Sequence, residues 1–242
     1  RNRVPLIQSY NIIQNYDLIA ITETALNEST SDEKIQLDGY IPIRKNLPSG
    51  TTHGGVMIYH KETLSVIHRP DLETQENSLV CELSINKKNI IVTVTYRRHH
   101  KGDENQLNNF INDFQEMCNK ITNTNPYCII HLGDFNAHNS HWWKGDKTDN
   151  PGYLLEGIFD DSGLHQLVNE PTHFSSNVRT CIDLVVTNQP NLINDCSIKP
   201  SLHTTCHHQI NHIEVNINNP PLPSYKRKMW HYNRANVQAI NK

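Results

Sequence analysis

The 242-residue chain lacks a basic surplus. Its 22 Lys and Arg are outnumbered by 25 Asp and Glu, giving a net charge of −3 with histidines neutral. That excludes a protein that binds nucleic acid mainly through bulk charge, since phosphate neutralisation dominates such affinity. Any contact with a phosphate chain is expected to be local and metal-assisted. Long apolar runs are also missing, so no membrane partner is expected. The six cysteines show no short regular spacing. Cys81, Cys128 and Cys181 sit in apolar, strand-like runs, which reads as reduced core thiols of an intracellular protein rather than disulfides. There is no internal repeat. Apolar residues make up 36% and charged residues 19%, with Asn, Thr and His filling the difference. Apolar segments still recur along most of the chain, as in a globular α/β domain.

What is present is a series of short apolar runs with polar ends. Leu6, Ile7, Tyr10 and Ile13 recur at helical spacing. "DLIAITET" reads as a buried strand with a polar end, and "HGGVMIYH" as another, opened by Gly54 and Gly55. "SLVCELSI" and "NIIVTVTY" flank "NKKN" and predict a hairpin. Leu107, Phe110, Ile111, Phe114, Met117, Cys118 and Ile121 form one helical stripe, and Asp103 with Gln106 resembles a capping box. "YCIIHLGD" predicts a buried strand running into the long polar loop "GDFNAHNSHWWKGDKTDNPG". "YLLEGIFDDSG" predicts a helix closed by Gly163, and "CIDLVVTN" with Ile213, Val215 and Ile217 predicts two late strands. Strands outnumber helices. The expected fold is α/β (α+β): a four-layer sandwich of two mixed β-sheets packed face to face, with helices outside. A Pro/Asn-rich linker and basic tail are expected over residues 218–242.

Chemistry is expected where polar residues follow apolar strands. Glu23 ends the first strand, Asp134 and Asn136 lie in "GDFN", Asp183 lies in "CIDLVV", and His207 or His208 opens the last strand. Hard divalent cations prefer carboxylate oxygen. Phosphodiester hydrolysis needs an oriented water, relief of phosphate charge and help for the leaving oxygen. A carboxylate, an amide and a His–Asp pair can divide those tasks. Each residue alone has a bland alternative. Glu23 can be a solvated strand end, and Asp183 can be one half of a structural ion pair.

Together these residues resemble the endonuclease/exonuclease/phosphatase superfamily, and within it the apurinic-type endonucleases of jockey-like and chicken-repeat-like non-long-terminal-repeat retrotransposons. The stretches that carry the resemblance are "YDLIAITETAL", "HGGVMIYHK", "IVTVTYRR", "HLGDFNAHNSHWW", "EPTHF" with "TCIDLVVTN", and "CHHQI". They span roughly residues 1–217, and "YKRKMWHYNRANV" is similar to the linker leading towards a reverse transcriptase. The resemblance implies an Mg²⁺-dependent enzyme, with Mn²⁺ as the alternative ion and no small-molecule cofactor. It implies a nick in one DNA strand that leaves a 3′ hydroxyl to prime reverse transcription, with the nucleus as the place of action. Glu23 would bind metal, and Tyr96 would reach the scissile phosphate. Asp134 would prepare the water, Asn136 would hold the phosphate or metal, and Asp183 would orient the catalytic histidine. The family's Ser-Asp-His falls on Thr205, Cys206 and His207. Strand parity with Ile213 also favours His207 over His208.

Two departures accompany this resemblance. Cys206 stands where the family has a metal-binding aspartate, and a thiol suits Mg²⁺ poorly. The family's first strand, with its asparagine, would precede Arg1. Weakened activity is expected from both. Arg97, Arg98, His99, His100 and Lys101 are candidates for DNA backbone contact, with a solvated basic turn as the alternative. Trp142 and Trp143 are candidates for stacking on bases, with core packing as the alternative. Three rival readings differ in class. One is hydrolysis of phosphoinositides or sphingomyelin by the same fold, and another is a decayed copy without turnover. The third is a zinc site among Cys196, His203, Cys206, His207, His208 and His212.

Overall fold

A computed structural model describes residues 4–46, 53–74, 77–99, 102–176 and 178–217. The expected linker and tail at 218–242, and His100 and Lys101, lie outside the described residues. Helix α1 (Val4–Gln14) is followed by strands β1 (Leu18–Thr22), β2 (Tyr40–Lys45), β3 (Val56–Lys61), β4 (Val66–His68), β5 (Ser78–Ile85) and β6 (Lys88–Tyr96). Helix α2 (Glu104–Asn123), β7 (Cys128–Asp134) and α3 (Asn150–Asp161) come next. The chain continues through β8 (His165–Gln166), β9 (His173–Ser175), β10 (Val178–Thr180), β11 (Asp183–Thr187), β12 (Ile193–Lys199) and β13 (Ile210–Val215).

The strands form four layers with the helices. A six-stranded sheet runs β4-β5-β6-β7-β11-β8 and is mixed, because β6 and β7 pair in parallel across the α2 crossover. Facing it are the antiparallel sheets β1-β3-β2 and β12-β13. Val56, Ile58, Leu79, Val92, Val94 and Ile130 fill the space between the layers, with Ile213 and Val215 packed against them. On the other face of the six-stranded sheet, α2 and α3 contribute Phe114, Met117, Leu155 and Phe159. Cover on both faces explains why β6 and β7 are buried along most of their length, with Thr93, Thr95 and His131 among the buried residues. The β5–β6 hairpin turns at Asn86 and Lys87, both at positive φ, as a two-residue loop joining antiparallel strands prefers. Among the described residues no helix is long and apolar enough to cross a membrane.

Local signals set the ends of the helices. The Asp103 side chain accepts from Gln106 N at 3.1 Å and starts α2. Helix α3 begins three residues before the expected Tyr153, because Asp149 caps it through Gly152 N at 2.8 Å. In α1 the expected stripe is incomplete. Ile13 is 77% exposed, while Asn11 is buried and its Oδ1 accepts from Tyr16 N and Tyr40 Oη. The buried face of α1 is thus closed by a polar cap that apolar spacing does not reveal. Strand β2 was not expected either. It carries Pro42, which is tolerated because β2 pairs on one side only.

His131 sits within β7, fully buried, with Nδ1 2.8 Å from Thr93 Oγ1. Burial keeps the imidazole neutral and pushes its pKa down to about 4. The unfolded chain takes up that proton near an ordinary value of roughly 6.5. Below that pH the unfolded state therefore binds more protons, and the contribution of His131 to stability is lost as pH falls towards 4. Urea unfolding at pH 7 and pH 5 is expected to show a larger loss for the wild type than for His131→Gln, by about 2 kcal/mol.

Candidate active site

Three adjacent strands bring three of the candidate residues abreast. In the parallel β6–β7 pair Tyr96 is opposite Asp134, and in the antiparallel β7–β11 pair Asp183 is opposite Asp134. Opposed residues on neighbouring strands share a face, so Tyr96, Asp134 and Asp183 form a row across the sheet. Gly133 makes this row possible: a Cβ there would lie 1.9 Å from Thr95 O. Glu23 enters from the facing sheet. Thr24 N and Ala25 N bond to Gly55 O and Gly54 O at 3.2 and 3.1 Å, and the Tyr96 hydroxyl donates to Glu23 Oε1. Gly54, at φ +124°, fits against Asn77, whose Oδ1 would be 2.6 Å from an added Cβ.

Glu23 and Asn136 both have positive φ, +51° and +46°. Non-glycine residues rarely hold this conformation, and it concentrates at functional sites. Asn136 is tied on both sides, with its backbone N to Asp134 Oδ1 at 3.0 Å and its Nδ2 to Arg97 O at 2.8 Å. An open cleft of about 390 Å³ is lined by Glu23, His53, Tyr96, Arg98, His99, Asp134, Asn136 and His208.

His208, not His207, meets Asp183. Its Nδ1 lies 3.0 and 3.1 Å from the two carboxylate oxygens. His207 is exposed, and its Nδ1 lies 2.9 Å from Phe174 O. Parity counted back from Ile213 fails because regular strand begins only at Ile210. Before it, Gln209 N donates to Thr172 O at 2.7 Å, and His208 forms an isolated bridge to His173.

Burial and the charge of Asp183 hold the Asp134 carboxyl well above the usual carboxylate range, with His208 opposing them. Burial alone would disfavour charge on His208. The hydrogen bond to Asp183 and the charges of Asp183 and Asp134 outweigh it and raise the imidazole to about 9. Asp134, Asp183 and His208 offer ligand atoms all within 4.8 Å of one another. Two carboxylates this close, with Glu23 and Asn136 on the same cleft, make an oxygen-rich set that fits a hard divalent cation.

Other candidates fall elsewhere. Among the described residues, the only such group of three or more possible metal ligands is Asp134, Asp183 and His208, so Cys206 is outside it. Its Sγ lies 3.6 Å from His208 O. The expected Cys/His zinc cluster is dispersed, with Cys196 packed against the core near Cys181, and His203 bonded to Thr205. Arg97 is 6% exposed and cannot reach a DNA backbone. Its guanidinium instead braces the "GDFN" turn, donating to Phe135 O and Asn136 O. Trp142, 8% exposed, packs at 5.9 Å on Phe159 and is core, while Trp143 is half-buried beside it. Arg98 lines the cleft and donates to His53 O. "EPTHF" carries two residues that had no assigned role. Thr172 Oγ1 accepts from Ile182 N and Asp183 N, and the His173 ring meets the His208 ring edge-on at 4.7 Å.

The profile of the endonuclease-reverse transcriptase family matches residues 90–211, half of the chain. An RNA-directed DNA polymerase from the mobile element jockey of Drosophila funebris is 23% identical over 172 residues, covering 68% of this chain. The chain spans 17% of the length of that relative. Among solved structures, the endonuclease domain of TRAS1, a telomere-specific non-LTR retrotransposon, superposes with a TM-score of 0.69 at 18% identity. The match covers 90% of this chain and 94% of that one. The AP endonuclease LMAP from Leishmania major gives 0.71 at 14% identity, covering 87% and 81%. At such identities the two superpositions speak to the fold, a four-layer sandwich shared with these nucleases. On the profile match, the chain belongs to the endonuclease-reverse transcriptase family of the endonuclease/exonuclease/phosphatase superfamily.

Proposed function

We propose that this domain hydrolyses phosphodiester bonds of DNA, nicking one strand in the presence of Mg²⁺, and that the 3′ hydroxyl primes reverse transcription by a polymerase of the same element in the nucleus. One observation carries the reading: Tyr96, Asp134 and the Asp183–His208 pair converge from neighbouring strands on one cleft shared with Glu23 and Asn136. The name of the jockey relative supports a polymerase partner.

In its ionised form Asp134, fixed in the row between Tyr96 and Asp183, accepts the proton of an attacking water. The imidazolium of His208, fixed by Asp183, faces the phosphate and offsets the charge that builds on it. Asn136 has one amide hydrogen on Arg97 O, which leaves its second N–H and its carbonyl oxygen for the substrate. Tyr96 holds Glu23 in place through its hydroxyl. A divalent cation held by Glu23 would supply neutralisation of phosphate charge.

The purified domain is expected to convert supercoiled plasmid to open circles with Mg²⁺ and to stop with EDTA. Asp134→Asn is expected to slow this about 10³-fold. Phosphate release from phosphoinositides or headgroup release from sphingomyelin, without nicking, would overturn the choice of substrate.

A further inference from the structure

We infer that Asp146, which is not among the residues lining the cleft, is a positioning residue for the Asp183–His208 pair. This rests on the proposed function. Residues 181–183 lead into β11 and present three successive backbone N–H groups, and all three donate to side-chain oxygens. Cys181 N donates to Asp146 Oδ2 at 2.9 Å, and Ile182 N and Asp183 N donate to Thr172 Oγ1 at 3.2 and 3.0 Å. The carbonyl of Ile182 in turn accepts from Phe135 N at 2.9 Å, within the "GDFN" turn. The backbone that aims Asp183 is therefore set by two side chains distant in sequence.

Asp146 is suited to this because its own frame is rigid. Its side chain is 4% exposed. The loop that carries it is closed on itself: His138 N donates to Asp149 Oδ1, and Asp149 N donates back to His138 O, both at 3.0 Å. Trp142, packed on Phe159, anchors the middle of that loop. The second carboxylate oxygen of Asp146 faces His138 Nδ1 at 3.4 Å. Cys181 is fully buried, so removing the acceptor strands its N–H and leaves the β11 approach free to shift. A shift of a fraction of an ångström at Asp183 passes directly to His208, and catalytic geometry tolerates little.

The test compares three variants with the wild type in plasmid nicking, with folding followed by circular dichroism. Asp146→Ala is expected to lower kcat about 100-fold with KM within about twofold. Asp146→Asn keeps an oxygen for Cys181 N and is expected to stay within about fivefold of the wild type. His138→Ala removes the other partner of the carboxylate, isolates the Cys181 bond and is expected to stay within about threefold, which keeps the test decisive if the alanine variant at 146 does not fold. A fall as deep in Asp146→Asn or His138→Ala as in Asp146→Ala overturns the inference, and so does full kcat in Asp146→Ala. The side-chain ¹⁵N resonances of His208 give a readout that does not need turnover. They are expected to move in Asp146→Ala and to stay in Asp146→Asn; unmoved signals in the alanine variant overturn it. Wild-type protein that never nicks would sink the proposed function and leave this spectroscopic test standing.

Discussion

Replacing His208 with alanine is expected to lower the nicking rate about 10³-fold, while His207→Ala leaves it within about threefold. The two residues are neighbours in sequence, so the contrast is a sharp test of geometry. His208 touches both oxygens of Asp183 and lines the cleft. His207 turns out to solvent, on the Phe174 carbonyl. Removing His208 also leaves Asp183 and Asp134 without the positive charge beside them, so the pH profile is expected to change together with the rate. Single-turnover nicking at saturating Mg²⁺ from pH 6 to 9 measures both. Equal losses in the two variants, or a larger loss at His207, would defeat the assignment.

Trp142→Ala is expected to destabilise the domain by about 3–5 kcal/mol, with DNA affinity of the folded fraction unchanged within about twofold. Trp142 packs against Phe159 in a cluster of edge-on rings that includes Phe114 and Phe135. Its loss opens a void beside the "GDFN" turn, which the rigid frame around Asp149 fills poorly. Urea unfolding gives the first number, and fluorescence anisotropy with a labelled duplex gives the second. A large fall in affinity with little change in stability would return Trp142 to the DNA surface.

Elements with a strong local period were legible in the sequence. The α2 stripe, the β5–β6 hairpin around "NKKN" and the apolar run of β7 each contain their own evidence. Strand β12 did not, because "INDCSIK" is half polar and exists through its pairing with β13. At the site, strand-end polarity pointed to Glu23, Asp134, Asn136 and Asp183, and the family resemblance added Tyr96. The fold brings Glu23, Tyr96, Asp134 and Asn136 to one cleft, with Asp183 joined to it through His208. What the sequence could not supply was the local break at Gln209, which decides between two adjacent histidines. Nor does it show that Arg97 faces inward, because an Arg reads as a surface contact by residue type and only the packing of the "GDFN" turn buries it. For Trp142 it left base stacking and core packing both open, and the Phe159 ring decides for the core.

The row Tyr96–Asp134–Asp183 has a further consequence. Its spacing is that of a hydrogen-bonded ladder, about 4.8 Å from strand to strand. Reach and chemistry are therefore separable. Loops beyond the strand ends can lengthen, shorten or change charge, while these three side chains stay on the pitch of the sheet.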